Sequence, residues 1–297
     1  MQRPAEGATS RGDLGGTPRA TQRGMWLALA LAAAVIGALS GGGAMLALPI
    51  LVGSGAPHGQ AVVRSLIVVG AASAVAAIAH ARAGRIELGT ALRFSLAGSA
   101  SAFVVGRLSS GWSVPLGATV FGALGVMAGL DLWRGRGASS TAPSAWGEIG
   151  TAAVVGALSG WIGAGGGFLL VPLLARRTSF ERALGTASVV LAAQALAGVV
   201  GHASTTDIAG LPLALDVSAG IVGALAGLAF AARLPVVRLR GAVAALTATL
   251  AMMVAWSDGW ALVALALGLV PALYRALRSA SGSAPLADEP ALRSDES

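Results

Sequence analysis

Long apolar runs separated by short polar stretches fill most of the chain after residue 24. A helix needs about 20 consecutive apolar residues to cross the hydrocarbon core of a bilayer. Eight runs come close to that length or exceed it, and a shorter ninth run at 260–274 is a plausible further crossing. The eight runs are 25–51, 61–81, 90–107, 113–133, 149–174, 183–203, 211–232 and 238–256. The pattern predicts an all-α protein, a polytopic bundle of 8–9 transmembrane helices.

Polar segments divide the chain into two apolar units and two tails. Residues 1–24 form a basic N-terminal tail that we expect to be disordered, because it is rich in Gly, Thr, Arg and Pro. The first transmembrane unit covers 25–133, a Pro- and Ser-containing linker covers 134–148, and the second unit covers 149–277. The polar tail 278–297 is expected to be disordered as well. Because further apolar runs follow it, the first run is interpreted as a retained span.

The two units carry an internal repeat. The string GALSG occurs at 37–41 and again at 156–160, and each copy is followed by a glycine-rich stretch and then a proline. Those prolines, Pro49 and Pro172, are 123 positions apart. The repeat predicts two related halves of about four helices each.

Consecutive glycines interrupt the first apolar run of each half, at Gly41–Gly43 and at Gly163–Gly167. Glycine destabilises a helix interior by about 1 kcal/mol relative to alanine, and irregular backbone at membrane depth survives only inside protein or beside a water-filled cavity. A break also creates the N-terminus of a half-helix, where free N–H groups attract anions. Paired breaks in two halves are typical of transporter sites, whereas close helix packing is the alternative explanation.

Composition narrows the possible classes of function. Hydrophobic residues make up 55% of the chain and charged residues 11%, against about 25% charged in a soluble domain. The arginines concentrate in tails and short loops, as they do in the cytoplasmic loops of membrane proteins, so the net charge of +7 does not indicate nucleic-acid binding. The absence of cysteine excludes thiolate metal sites. The sequence indicates no metal, no other cofactor and no ATP-binding loop.

The second glycine-rich stretch resembles the motif G-x-G-G-G-x-x-x-x-P-x-L of the TauE/SafE family of sulfite exporters, also called the TSUP family. The matching positions are Gly163, Gly165, Gly166, Gly167, Pro172 and Leu174. The segment ERALGTASVV is similar to the family's A-x-G-T-S pattern, with one residue inserted before Ser188, and GQAVVRSLIV is similar to A-x-x-x-S-L. The positions that match these two patterns are Ala183, Gly185, Thr186, Ala61, Ser65 and Leu66.

This resemblance covers about 25–256 and implies a multi-pass protein of the bacterial inner (plasma) membrane. It implies export or uptake of sulfite, sulfonates or other small sulfur-containing or organic anions, without enzymatic activity. The expected partners are the lipid bilayer and a small anionic substrate. The identity of the anion, the direction of transport, the coupling ion and the oligomeric state are left open.

Candidate site residues combine the two glycine breaks with polar groups in the spans. The candidates for substrate binding are Gly41, Gly42, Gly43, Arg64, Ser65, Gly163, Gly165, Gly166, Gly167, Thr186 and Ser188. Arg64 is the single charged residue between Met25 and Ala81, and such a residue is a functional candidate with a partner or an interfacial arginine. His80 and His202 end the second helix of each half, where they could shuttle protons or lie at the interface.

Arginine counting gives an inconsistent topology. The N-terminal tail and the 82–93 and 134–136 segments are basic, so all are expected on the cytoplasmic side. Counting one crossing per run then places six arginines of the second half outside, namely Arg176, Arg177, Arg182, Arg233, Arg238 and Arg240. Either one segment is not a simple crossing, or these arginines form an anion-attracting mouth.

Two other classes of function stay open at this stage. An intramembrane serine protease would pair Ser159 or Ser40 with His202, although the G-x-S-G spacing of rhomboid proteases is missing. An anion channel is equally compatible with an internal repeat. Alternating access around the two glycine breaks is the favoured mechanism.

Overall fold

A computed structural model describes residues 24–33, 44–109, 145–163 and 166–255. Within these ranges the chain is helical and contains no strand. The helices are α1 (Gly24–Ala33), α2 (Ala44–Gly53), α3 (His58–Arg82), α4 (Leu88–Leu108), α5 (Ala145–Ile162), α6 (Gly167–Ala175), α7 (Phe180–His202), α8 (Leu213–Ala231) and α9 (Val236–Ala255). Predictions for Ser40, Gly41, Gly42, Gly43, Gly165, the linker, the two tails and run 260–274 fall outside the described residues.

Four of the described helices, α3, α4, α7 and α8, are long and apolar enough to cross a membrane. Large apolar side chains on the outer surface remain exposed, including Leu92, Leu96 and Leu196. A surface of this kind suits lipid rather than water. The predicted all-α membrane bundle is therefore confirmed.

The centre of the bundle is an antiparallel pair, α3 and α7. The start of α3 lies against the end of α7, where Gly59 meets Thr206, and the end of α3 lies against the start of α7, where His80 meets Gly185. These two helices occupy equivalent places in the repeat, since each follows the glycine-rich stretch of its own half. Equivalent helices that run in opposite directions indicate inverted-topology repeats.

The next helix of each half, α4 after α3 and α8 after α7, also runs in opposite directions in the two halves. Helix α4 runs parallel to α7, since Gly98 lies against Gln194 and Phe103 against Gly201. Helix α8 runs parallel to α3, which it meets at Gly220. We call the end where α3 begins and α7 ends the His58 end, and the opposite end, where α3 ends and α7 begins, the Arg82 end.

Helices α5 and α6 form a hairpin that enters and leaves at the Arg82 end. Glu148, near the start of α5, bonds both Arg93 of α4 and Arg177, which follows α6. The run 149–174 is therefore two helices and a turn rather than one crossing. Of the two explanations for the inconsistent arginine count, the structure agrees with the first, a segment that is not a simple crossing. Arg176, Arg177 and Arg182 lie at the same end as the 82–93 loop, and the Arg85–Glu181 ion pair at 3.3 Å joins the two segments directly.

Helices α1 and α2 both reach the His58 end. The Trp26 indole donates a hydrogen bond to Ser218 at the start of α8, over 3.0 Å, and α2 ends just before α3 begins. The sequence predicted that the chain entering α1 and the 82–93 loop share a side. That prediction is wrong, because the contact of Trp26 with Ser218 puts the start of α1 at the opposite end.

Small residues let the helices approach one another closely. A β-carbon on Gly156 of α5 would lie 2.1 Å from the Gly98 carbonyl oxygen of α4, and one on Gly160 would lie 2.4 Å from the Ala102 carbonyl oxygen. Without a hydrophobic force between helices in lipid, such backbone contacts supply much of the packing. The pairing of α4 with α5 therefore depends on glycine at both positions.

Candidate functional site

The turn between α5 and α6 is pressed against α3. Gly163 has φ +71°, a left-handed conformation that favours glycine. A β-carbon there would also lie 2.5 Å from Val62 Cγ1. The glycine break of the second half is thus packed onto the central helix of the first half.

After the turn, α6 begins inside the protein. Gly166, its N-cap residue, has no side chain with which to cap the helix, and Gly166 and Gly167 are both buried. The first N–H groups of a helix have no partner within the helix, and the helix dipole adds partial positive charge there. A buried helix N-terminus whose N-cap residue lacks a capping side chain is a natural site for an anion.

Two serine hydroxyls lie beside this turn without a hydrogen-bond partner. Ser65 and Ser159 are 0% and 1% exposed, and neither Oγ bonds any atom in the described part of the chain. Ser65 is one turn past Val62 on α3, and Ser159 is one turn before Gly163 on α5. Because α3 and α5 run in opposite directions, both hydroxyls lie on the same side of the Val62–Gly163 contact.

An unpaired hydroxyl in an apolar interior costs about 1–3 kcal/mol. Two such groups beside this helix N-terminus therefore indicate a place for a ligand rich in hydrogen-bond acceptors. The hydroxyls and the N–H groups can all donate, so the arrangement suits an oxyanion.

Arg64, one residue before Ser65, is held by a carboxylate. Its Nε and Nη2 donate to Asp216 Oδ2 and Oδ1 of α8 over 2.7 and 2.8 Å. The two side chains are 7% and 1% exposed. Arg64 is therefore a buried, paired arginine rather than one that reaches for lipid headgroups.

Comparison with known protein families gives a match that includes all of these residues. Residues 26–254 match the family described as sulfite exporter TauE/SafE. The chain belongs to this family. Two relatives from Xylella fastidiosa, strains Temecula1 and 9a5c, are each called "Probable membrane transporter protein". They are 34% identical to the chain over 218 and 217 residues, which are 67% of this chain and 80% of theirs. No solved structure matches the chain.

Thr186 and Ser188, the polar residues of the segment similar to the A-x-G-T-S pattern, lie away from Ser65 and Ser159. Thr186 Oγ1 accepts a hydrogen bond from the backbone N–H of Glu87, where α4 begins. The hydroxyl of Ser188 donates to the Leu184 carbonyl one turn earlier. Both residues belong to the Arg82 half of α7. The structure therefore does not bring Thr186 and Ser188 together with Ser65.

The two candidate histidines of this TauE/SafE protein, His80 and His202, lie at opposite ends of the bundle. His80 is near the start of α7, beside Gly185. His202 is at the His58 end, where its Nε2 lies 2.8 Å from the Gly160 carbonyl oxygen. That contact occupies the histidine next to Ser159, whose hydroxyl has no partner. A serine–histidine pair of the kind a protease needs is not formed between these two residues.

Sequence reasoning gave no role to two buried polar residues. Asp216 is the acidic partner of Arg64. Its position inside the apolar run 211–232 could have marked it as a buried charge in need of a partner. Gln194 is fully buried, and neither atom of its amide has a partner in the described residues. Its side chain lies over Gly98 of α4, and nothing in the sequence marks it as unpartnered. No group of three or more potential metal ligands occurs among the described residues.

Proposed function

We propose that this protein is a secondary transporter of small anions in the bacterial inner membrane, with sulfite, sulfonates or related sulfur-containing or organic anions as substrates. Membership of the TauE/SafE family supports membrane transport. The buried start of α6 beside the unpartnered Ser65 and Ser159 hydroxyls supports an anion as the cargo. This cluster of donors without acceptors is the observation that carries the proposal.

The ligand would be held by the protein's own hydrogen-bond donors and positive charge, without a cofactor. Backbone N–H groups of Gly166 and Gly167 would donate to one face of the oxyanion, and the two serine hydroxyls would donate to another. Gly163 keeps the turn close to α3, and Arg64 supplies positive charge next to Ser65. Gly41, Gly42 and Gly43 would provide the equivalent backbone in the first half.

Inverted repeats offer a simple route to alternating access. If each half can adopt the conformation of the other, the pair has two related states that open to opposite sides of the membrane. The α5–α6 hairpin enters from the Arg82 end, whereas α1 begins and α2 ends at the His58 end, so each side has its own pair of short helices. Rocking of the two halves about the central α3–α7 pair would expose the site to each side in turn.

The test is uptake by proteoliposomes of labelled sulfite, sulfate, methanesulfonate and acetate. Saturable uptake of one sulfur anion, with competition by unlabelled substrate, supports a carrier, whereas flux that does not saturate supports a channel. Correctly folded protein that moves none of these anions would contradict the proposal. Gly166→Val should abolish uptake, because a β-carbon at Gly166 would lie 2.3 Å from Val155 Cγ1 and displace the start of α6.

A further inference from the structure

The ion pair between Arg64 and Asp216 connects the two halves of the protein. Arg64 belongs to α3 of the first half, and Asp216 lies in the first turn of α8 of the second half. Two hydrogen bonds of 2.7 and 2.8 Å join the arginine fork to both carboxylate oxygens. The same planar fork fits other oxyanions with two oxygens in reach, including carboxylates and sulfonates.

Stability alone is a poor explanation for this pair. Removing two charges from water costs about as much as their mutual attraction returns, so buried ion pairs contribute little to stability. Ionisable groups inside a membrane protein are costly and usually have a function. Three further ion pairs join Arg85, Arg93 and Arg177 to glutamates, and these three lie at the Arg82 end with partly exposed side chains.

Within the part of the chain that the structure describes, Asp216 is the one anionic partner of Arg64. Its Nη2 also lies 4.0 Å from the Met25 sulfur, a weak acceptor. The neighbouring contact between α1 and α8, Trp26 to Ser218, is neutral. Ser65, the next residue along α3, carries the unpartnered hydroxyl of the proposed anion site. Successive residues of a helix point about 100° apart, so an anion bound there would meet the guanidinium once Arg64 turns away from Asp216.

We propose that Asp216 is an internal counter-anion, which holds Arg64 while the transporter is empty and gives up its place to the anionic group of the substrate. This role rests on the proposed function and names a specificity-determining residue for it. Exchange of Asp216 for a carboxylate, sulfite or sulfonate group would also release α8 from α3. Substrate binding would then loosen a contact between the two halves at the His58 end.

The experiment compares purified wild-type protein with Asp216→Asn, Arg64→Gln and the Arg64→Gln/Asp216→Asn double variant. Ser218→Ala is the matched control, because it removes a neutral contact of the same helix near Asp216. Binding of sulfite, methanesulfonate and acetate is measured by calorimetry, and uptake is measured in proteoliposomes. Thermal unfolding and size-exclusion chromatography establish that each variant is folded.

If Asp216 competes with the substrate, Asp216→Asn tightens anion binding by about tenfold or more, because the arginine is no longer occupied. Ser218→Ala stays within about twofold of wild type, since it leaves the arginine and its carboxylate in place. Arg64→Gln loses binding, and the double variant remains folded but does not recover it, because no cation is left for the anion.

Three outcomes would overturn the counter-anion role: unchanged or weaker binding in folded Asp216→Asn, wild-type uptake by the double variant, or an equal effect of Ser218→Ala. If Asp216→Asn fails to fold because it leaves Arg64 unpaired, the double variant decides the question. Its uptake disproves the role, and its loss of uptake while folded supports the role. Wild-type protein that binds none of the three anions would instead disprove the proposed function.

Discussion

Gly163 in the α5–α6 turn lies against Val62 of α3, so close that a β-carbon on the glycine would be 2.5 Å from Val62 Cγ1. The contact joins the break of the second half to the central helix of the first half. It also sets the position of the α6 N-terminus relative to Ser65. A residue with no side chain therefore determines how the two halves meet at the candidate site.

Gly163→Ala should lower the free energy of unfolding by more than Gly84→Ala does. Both glycines have positive φ, at +71° and +66°. The left-handed conformation costs an alanine about 1–2 kcal/mol of folding free energy. Gly84 has open space where the β-carbon would go, so only Gly163→Ala adds a clash with Val62. Thermal unfolding in detergent measures both variants. Val62→Ala should recover part of the extra loss in the Gly163→Ala background, and equal losses for the two glycines would show that the contact is unimportant.

Ser65→Ala and Ser159→Ala should weaken transport while leaving stability within about 1 kcal/mol of wild type, because neither hydroxyl has a hydrogen bond to lose in the described residues. A hydrogen bond from a hydroxyl to an anion contributes about 1.5–3 kcal/mol, so each variant should raise KM by about tenfold or more. Proteoliposome uptake over a range of substrate concentrations gives KM. Ser101→Ala is the control, since Ser101 donates to backbone carbonyls of its own helix. Unchanged KM in both serine variants would remove them from the site.

The Arg82 end should face the cytoplasm. Nine of the eleven arginines in the described residues lie there, namely Arg82, Arg85, Arg93, Arg176, Arg177, Arg182, Arg233, Arg238 and Arg240, and arginine-rich loops stay on the cytoplasmic side. The chain has no native cysteine, so single cysteines report accessibility directly. In intact cells, a membrane-impermeant maleimide should label Ala209→Cys at the His58 end and spare Ala83→Cys at the Arg82 end. The reverse pattern would invert the orientation.

Gln194→Leu should leave the protein as stable as wild type or more stable. The amide is fully buried without a partner in the described residues, and replacing an unsatisfied polar group with an apolar one of similar size removes its desolvation cost. Gly98→Ala should destabilise the fold, because a β-carbon would lie 2.0 Å from the Gln194 amide nitrogen. Thermal unfolding tests both. A clear loss of stability in Gln194→Leu would mean that the amide has a partner that the described residues do not supply.

The sequence was sufficient to predict the helical membrane fold and the repeat, because both depend on apolar run length and on recurring residues. It did not predict that the two halves are inverted, since the repeat does not specify direction. The run 149–174 is long enough for one crossing. Whether it crosses or turns back depends on the packing of α6 against α5, which brings Arg177 to Glu148.

Side-chain partners were harder to predict than helices. Arg64 was expected to have a partner, but its pairing with Asp216 joins residues 152 positions apart, and such a contact follows from the packing of α3 with α8. Ser65 and Thr186 each match a polar position of a family pattern, A-x-x-x-S-L and A-x-G-T-S respectively. Even so, Thr186 bonds the start of α4 whereas Ser65 has no partner. The roles of the predicted site residues remain predictions for the transport assays to test.

The inverted arrangement also has a consequence for how such a protein enters the membrane. Among the described residues, three arginines of the first half lie where α3 gives way to α4, at Arg82, Arg85 and Arg93, whereas those of the second half lie around the start of α7 and between the end of α8 and the first turns of α9. Insertion follows arginine position, so each half expressed alone is expected to adopt the orientation that it holds in the full chain.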